Sequence, residues 1–237
     1  MEKIITYETL RSFAYSNDKL ITGEIKGIVL DFYGLGGMHM HHSDPGDAVE
    51  YAENGILFVV PYYNPWCWMN KDAVDYTDEI LDVLIRKYNL SDDIKIASTG
   101  GSMGGLSALV YCAYAKRTPC ACVTNCPVCD LPFHFTERVD LPRTLYSAFY
   151  GYEGTLDGAL KSCSPLHLVG KLPKIKYTIF HCDNDKAVSL EKHSVPFVEA
   201  MKDGYDVELT VVHGRGHCDL SAEAHLEYKK VIYRLFN

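Results

Sequence analysis

The chain has 237 residues, 47% of them apolar and 23% charged, with a formal net charge of -8, the make-up of one ordinary globular domain of α/β size. The acidic balance excludes a nucleic-acid binder, which needs a concentrated basic surface, and no stretch reaches the roughly 18 unbroken apolar residues of a membrane span. The N-terminus, MEKIITYETLRSFAYSND, lacks the basic-then-apolar order of a secretory leader, so the nine cysteines are expected as reduced core thiols in a cytosol.

In chain order, short apolar runs alternate with helical patterns, the signature of a parallel sheet covered by helices. The segment up to about residue 22 is expected to add one or two antiparallel edge strands. Strands are predicted at 24–33, 55–63, 93–99, 121–126, 176–182 and 206–213, each rich in β-branched and aromatic residues and nearly continuous in apolarity, as burial on both faces requires. A helix is predicted from Ala73 to Tyr88, where Ala73, Tyr76, Ile80, Leu81, Leu84 and Tyr88 recur at helical spacing. Met103 to Lys116 is apolar nearly all round, which predicts a central, deeply covered helix. Residues 127–165 break the alternation and read as a small cap over a site, and a last helix covers about 222–235. No repeat or linker divides the chain, so residues 1–237 are read as a single domain.

The chemistry concentrates after the third predicted strand of the parallel run. Gly100, Gly101, Ser102, Met103 and Gly104 fit the pattern GxSxG between a strand and a helix, the context of a nucleophile elbow, where small residues must flank the serine. A phosphate loop would need Gly-Lys-Ser/Thr, and no lysine follows these glycines. A serine hydroxyl needs a base, and a carboxylate to fix that base's tautomer. Of the downstream histidines, His217 lies in a loop, GRGHCDL, between the last strand and last helix; His213 ends a strand and is the runner-up, while His193 and His225 fall in predicted helices. For the acid, Asp185 stands farther into its loop than Asp183, which could satisfy turn amides; Asp219 reads as a helix cap. The amides of Met103 and Leu35 are the expected oxyanion donors. The aromatic loop 61–70 offers Tyr63, Trp66 and Trp68 as substrate contacts, or as simple packing.

These residues together resemble the α/β-hydrolase superfamily, in its esterase and prolyl-oligopeptidase-like branch, with dienelactone-hydrolase relatives. The branch's Ser-Pro, His-Gly, Asp, Val series is matched by Ser164, Pro165, His181, Cys182, Asp185 and Val188, and its Gly-x-Gly-His by Gly214, Gly216 and His217. The resemblance places the acid at Asp185. It also puts Tyr33, just before Gly34, where a tyrosine of the oligopeptidase branch donates to the oxyanion. Dienelactone hydrolases use a cysteine nucleophile where this chain has serine, and 237 residues leave no room for an oligopeptidase propeller. The expectation is a serine hydrolase acting on a small or medium ester, with no cofactor or metal; the alternatives are a small acyl-peptidase, a noncatalytic binding module, or a metal site. For the metal site the candidate ligands are His39, His41, His42 and Asp44, or the pair Cys126 and Cys129, which lacks the two further ligands such a pair needs.

Overall fold

The computed structural model describes residues 5–237; residues 1–4, the start of the segment expected to lack a secretory leader, lie outside the described residues. Seven strands form one sheet: β1 (Ala14–Ser16), β2 (Gly27–Phe32), β3 (Ile56–Pro61), β4 (Lys95–Gly101), β5 (Ala121–Asn125), β6 (Lys176–Cys182) and β7 (Asp206–Val212), in the order β1-β3-β2-β4-β5-β6-β7. β1 pairs antiparallel to β3, and every other pairing is parallel. Each predicted strand of the parallel run is present, and the N-terminal segment supplies one antiparallel edge strand. β3, ILFVVP, is buried along its whole length, whereas β7 at the far edge alternates between exposed and half-buried positions before ending buried, as an edge strand covered on one face should.

The helices are α1 (Gly46–Glu53), α2 (Lys71–Tyr88), α3 (Met103–Tyr114), α4 (Leu131–Glu137), α5 (Leu141–Ala148), α6 (Leu156–Ser162), α7 (Ser194–Met201) and α8 (Ala222–Arg234). Because strand side chains alternate between faces, Ile28, Leu30, Ile96, Cys122 and Ile179 pack against α2, α3 and α7. Val29, Ala97, Val123 and Phe180 pack against α1 and α8. α2 starts at Asn70, whose side chain accepts the Ala73 amide, and stops at left-handed Asn89 (φ 49°), a cap at each end. α3 has no polar face, and ten of its residues are buried, as its sequence predicts. Residues 127–165 hold α4, α5 and α6 and no strand. Among the described residues no helix is long and apolar enough to cross a membrane.

This topology locates the site before any side chain is considered. The chain passes from β2 outward to β3, then returns past β2 to β4, so the segments leaving β2 and β4 diverge. A crevice opens at such a switch point, outside the carboxyl ends of the strands. The segments that meet there begin at Tyr33 and Ser102.

Candidate active site

Ser102 joins β4 to α3 with φ 58° and ψ -125°, a conformation that costs a non-glycine residue of order 1–3 kcal/mol. The surroundings impose it. The Ser102 amide donates to the Asn125 carbonyl (3.0 Å), and the Ser102 carbonyl accepts from Leu106 (3.1 Å) and Val128 (3.3 Å). A Cβ on Gly104 would lie 2.0 Å from the Phe32 carbonyl oxygen, so strand β2 and helix α3 touch backbone to backbone there, and only glycine allows it. The serine therefore stands at the N-terminal, positive end of α3.

Two loops close on this elbow. Residues 34–37 form a turn, with the Gly37 amide donating to the Gly34 carbonyl (3.0 Å) and Gly36 at φ 77°, the geometry of a type II turn. A Cβ on Gly34 would lie 3.8 Å from Ser102 Cβ, so Leu35 follows directly on the point of contact. From the other side comes the segment after β7: Cys218 Sγ lies 3.2 Å from where a Gly101 Cβ would be, and Asn125 Nδ2 donates to the Cys218 carbonyl (3.2 Å). The segment that carries His217, one residue earlier, is thereby tied to the glycine that precedes Ser102.

His217 Nδ1 donates to Asp185 Oδ2 at 2.6 Å. Asp185 is buried, and its Oδ1 accepts the amides of Ala187 (2.8 Å) and Val188 (2.9 Å). Burial pushes this carboxyl up, but the donors from His181, His217, Val188 and Ala187 outweigh it and hold it well below the ordinary carboxylate range. For His217, burial acts downward, while the Asp185 bond and the neighbouring Cys126 act upward and win, raising the ring to about 9. Its Nε2 faces Cys218 Sγ at 3.8 Å; among the described residues no hydrogen bond joins the Ser102 hydroxyl to the ring.

His181, quoted from the sequence only as part of a motif, supports this pair from beneath. It is fully buried; Nε2 donates to the Val188 carbonyl (3.0 Å) and Nδ1 accepts from Ser194 Oγ (2.7 Å), which locks the Asp185 loop. Asn125 carries no signal of its own in the sequence, and Cys126 stands out there only as a partner of Cys129. Their signal was positional, since β5 neighbours β4 and its last residues must flank whatever β4 presents.

The other expected residues separate clearly. His213 and Asp183 pair with each other (2.7 Å) at the exposed end of β7, away from the Asp185–His217 bond. Asp219 accepts from Arg215 (3.1 Å). His193 begins α7, buried, taking the Cys129 and Asp130 amides on Nδ1 (3.2 and 3.1 Å) and donating from Nε2 to Glu137 (2.8 Å), which fastens α4 to α7. The Tyr33 hydroxyl, expected at the oxyanion, is instead given to the His39 carbonyl (3.0 Å). Trp68 is wholly buried, its Nε1 donating to Thr144 Oγ1 (3.0 Å), and Tyr63 is buried with its hydroxyl on the Tyr33 carbonyl (3.1 Å). Those two rings are core, not binding surface, because their faces are filled and their polar atoms paired. Trp66 remains exposed, and its neighbour Pro65 accepts the Gly36 amide (3.0 Å), which sets it next to the turn at Ser102. Cys129 turns back on the Pro127 carbonyl (3.6 Å) and does not join Cys126 as a ligand pair. His39 and His41 pack ring to ring (5.1 Å), and Asp44 accepts from Tyr15 (2.7 Å).

The chain matches the prolyl oligopeptidase family over residues 63–237. Among curated proteins, none matches it in sequence. Its fold is shared with an acylaminoacyl peptidase of Pyrococcus horikoshii (TM-score 0.70, 14% identity, 91% of this chain and 37% of that one). It is shared also with Thermogutta terrifontis esterase 2 (0.65, 21%, 94% and 86%) and with a dipeptidyl peptidase 4 of Porphyromonas gingivalis (0.67, 15%, 90% and 31%). The chain thus spans about a third of the length of these two peptidases.

Proposed function

The chain belongs to the prolyl oligopeptidase family of α/β-hydrolases, and from that premise we propose that it is a serine hydrolase of small or medium carboxylic esters, with Ser102, His217 and Asp185 as its triad. The observation that carries this reading is the 2.6 Å bond between Asp185 and His217, held by Cys218 against the glycine that precedes a strained serine. The hydroxyl and the ring are not bonded in the resting site, and catalytic hydrogen bonds commonly tighten only when substrate is bound.

His217 takes the Ser102 proton on Nε2 as Oγ attacks the ester carbonyl, and Asp185 stabilises the imidazolium that forms. The Met103 amide, at the head of α3, and the Leu35 amide, in the turn against Ser102, receive the oxyanion; each such donor contributes about 3–4 kcal/mol to the transition state. The imidazolium protonates the departing alcohol. Water then clears the acyl-enzyme, with His217 again the base, so the sequence of steps calls on no metal or organic cofactor. Residues 127–165 act as a small cap, and the exposed Trp66 ring supplies apolar contact to the acyl or alcohol group. The nine free cysteines support a reducing, cytosolic setting.

Cleavage of acylated aminoacyl bonds is the second reading, favoured by the family match and by the shared fold of an acylaminoacyl peptidase. A panel of p-nitrophenyl esters of increasing chain length, run beside acyl-aminoacyl anilides on wild type and Ser102→Ala, decides between them. Turnover of short esters that disappears in the variant supports the esterase; anilide turnover alone supports the peptidase; turnover surviving in the variant refutes both.

A further inference from the structure

Two groups that the triad does not use, Cys126 and Cys218, converge on its base. Cys126, His217 and Cys218 each present a ligand atom, and these atoms all lie within 4.8 Å of one another. We propose that they form an inhibitory site for a thiophilic divalent cation such as Zn2+, which binds by taking the catalytic imidazole away from the serine. The site rests on geometry alone; only its inhibitory consequence rests on the triad reading.

The geometry suits a zinc tetrahedron. With Zn–S of about 2.3 Å and Zn–N of about 2.0–2.1 Å, sulfur and nitrogen ligands stand about 3.6 Å apart and two sulfurs about 3.8 Å apart. His217 Nε2 and Cys218 Sγ are 3.8 Å apart, so that edge needs almost no adjustment. The bond from Nδ1 to Asp185 (2.6 Å) leaves the Nε2 lone pair free, and a histidine that donates its second ring nitrogen to a carboxylate is the usual orientation of a zinc ligand. Cys126 Sγ is fixed in place by two donors, the amides of Cys182 (3.3 Å) and Cys218 (3.4 Å). Both cysteines hold positive φ, 47° for Cys126 and 56° for Cys218, which is strained for a residue with a β-carbon.

A route in exists as well. A cavity of about 370 Å³ lies against the elbow, lined among others by Cys218, Gly101 and Asn125, and it reaches the half-buried Cys218. Binding displaces one proton from each thiol and moves no electrons: the cation gains two thiolates and one neutral imidazole, and its fourth position remains for water. Because Nε2 is then committed to the metal, it cannot accept the Ser102 proton.

The test is a titration of chelator-treated, fully reduced protein with Co2+, read by absorption without substrate, followed by displacement with Zn2+ and an ester assay on the same samples. The expected result is a thiolate-to-cobalt band saturating at one equivalent, bleached by Zn2+, with ester hydrolysis falling in step. Cys126→Ala and Cys218→Ala should each weaken Co2+ by about 100-fold or more and make hydrolysis insensitive to stoichiometric Zn2+; Cys126→Ser replaces the alanine variant if the buried cavity prevents folding. Absence of the band in wild type, or its survival in both variants, overturns the site. Since the band is read without turnover, a protein inert toward every ester would sink the esterase reading and still test the metal site.

Discussion

Asp185→Asn gives the sharpest prediction, because the structure dictates which way the new amide must face. Oδ1 of Asp185 accepts two backbone amides, from Ala187 and Val188, and an NH2 group placed there would meet two donors. Asparagine must therefore keep its carbonyl oxygen on that side and turn its NH2 toward His217. Facing a donor, His217 Nδ1 becomes the acceptor and the ring proton moves to Nε2, the nitrogen that must take the proton of Ser102. The wrong tautomer costs a serine hydrolase of this kind about 10⁴ in kcat, equivalent to about 5 kcal/mol of barrier. The fold should persist, since both backbone amides keep an acceptor. The assay is p-nitrophenyl acetate hydrolysis with near-UV circular dichroism as control; turnover within about tenfold of wild type in a folded variant would refute the tautomer argument.

Three further outcomes follow from the same geometry. His213→Ala and Asp183→Asn remove an exposed pair at the end of β7 and should leave kcat/KM within about twofold, since exposed ion pairs contribute little; a large loss in either would move the catalytic base or acid to that pair. In chelator-treated enzyme, kcat/KM should rise with pH through a midpoint above the ordinary histidine value of 6.5 and toward about 9, because the neutral ring is the base and Asp185 favours the charged one. The sign for stability is opposite: the His217–Asp185 contribution is fully present below 6.5 and fades as pH climbs through about 9. A pH–rate midpoint at or below 6.5 contradicts the assignment. Gly104→Ala forces a β-carbon against the Phe32 carbonyl and should cost at least about 1–3 kcal/mol of stability, seen as a lowered urea midpoint; an unchanged midpoint would mean that β2 and α3 are not in contact at the elbow.

The central strands were legible in the sequence because burial on both faces leaves a run such as ILFVVP with no polar residue to blur it. α3 was legible for the same reason in a helical register. The elbow could be read because strand, glycines, serine and apolar helix are consecutive, and the Asp185 and His217 loops because each follows a strand whose end the parallel sheet aligns with Ser102. What could not be read depends on contacts between distant segments. Trp68 in a polar-flanked aromatic loop looks like a pocket residue, yet its ring fills the core and its N–H reaches Thr144 across 76 positions. The sequence pairs Cys126 with Cys129, three residues on, while the fold brings it to Cys218, 92 residues on, because both cysteines stand at the ends of segments that converge on one strand. The Tyr33 hydroxyl, by contrast, finds the His39 carbonyl in its own loop, a local choice that a motif alone does not encode.

The central claim is that Ser102 is made nucleophilic by His217, and covalent capture tests it most directly. Intact-protein mass spectrometry after brief exposure to a fluorophosphonate should show a single adduct on chelator-treated wild type, none on Ser102→Ala, and strongly slowed labelling of His217→Ala. Failure of wild type to label, or an adduct on Ser102→Ala at the wild-type rate, would contradict the account.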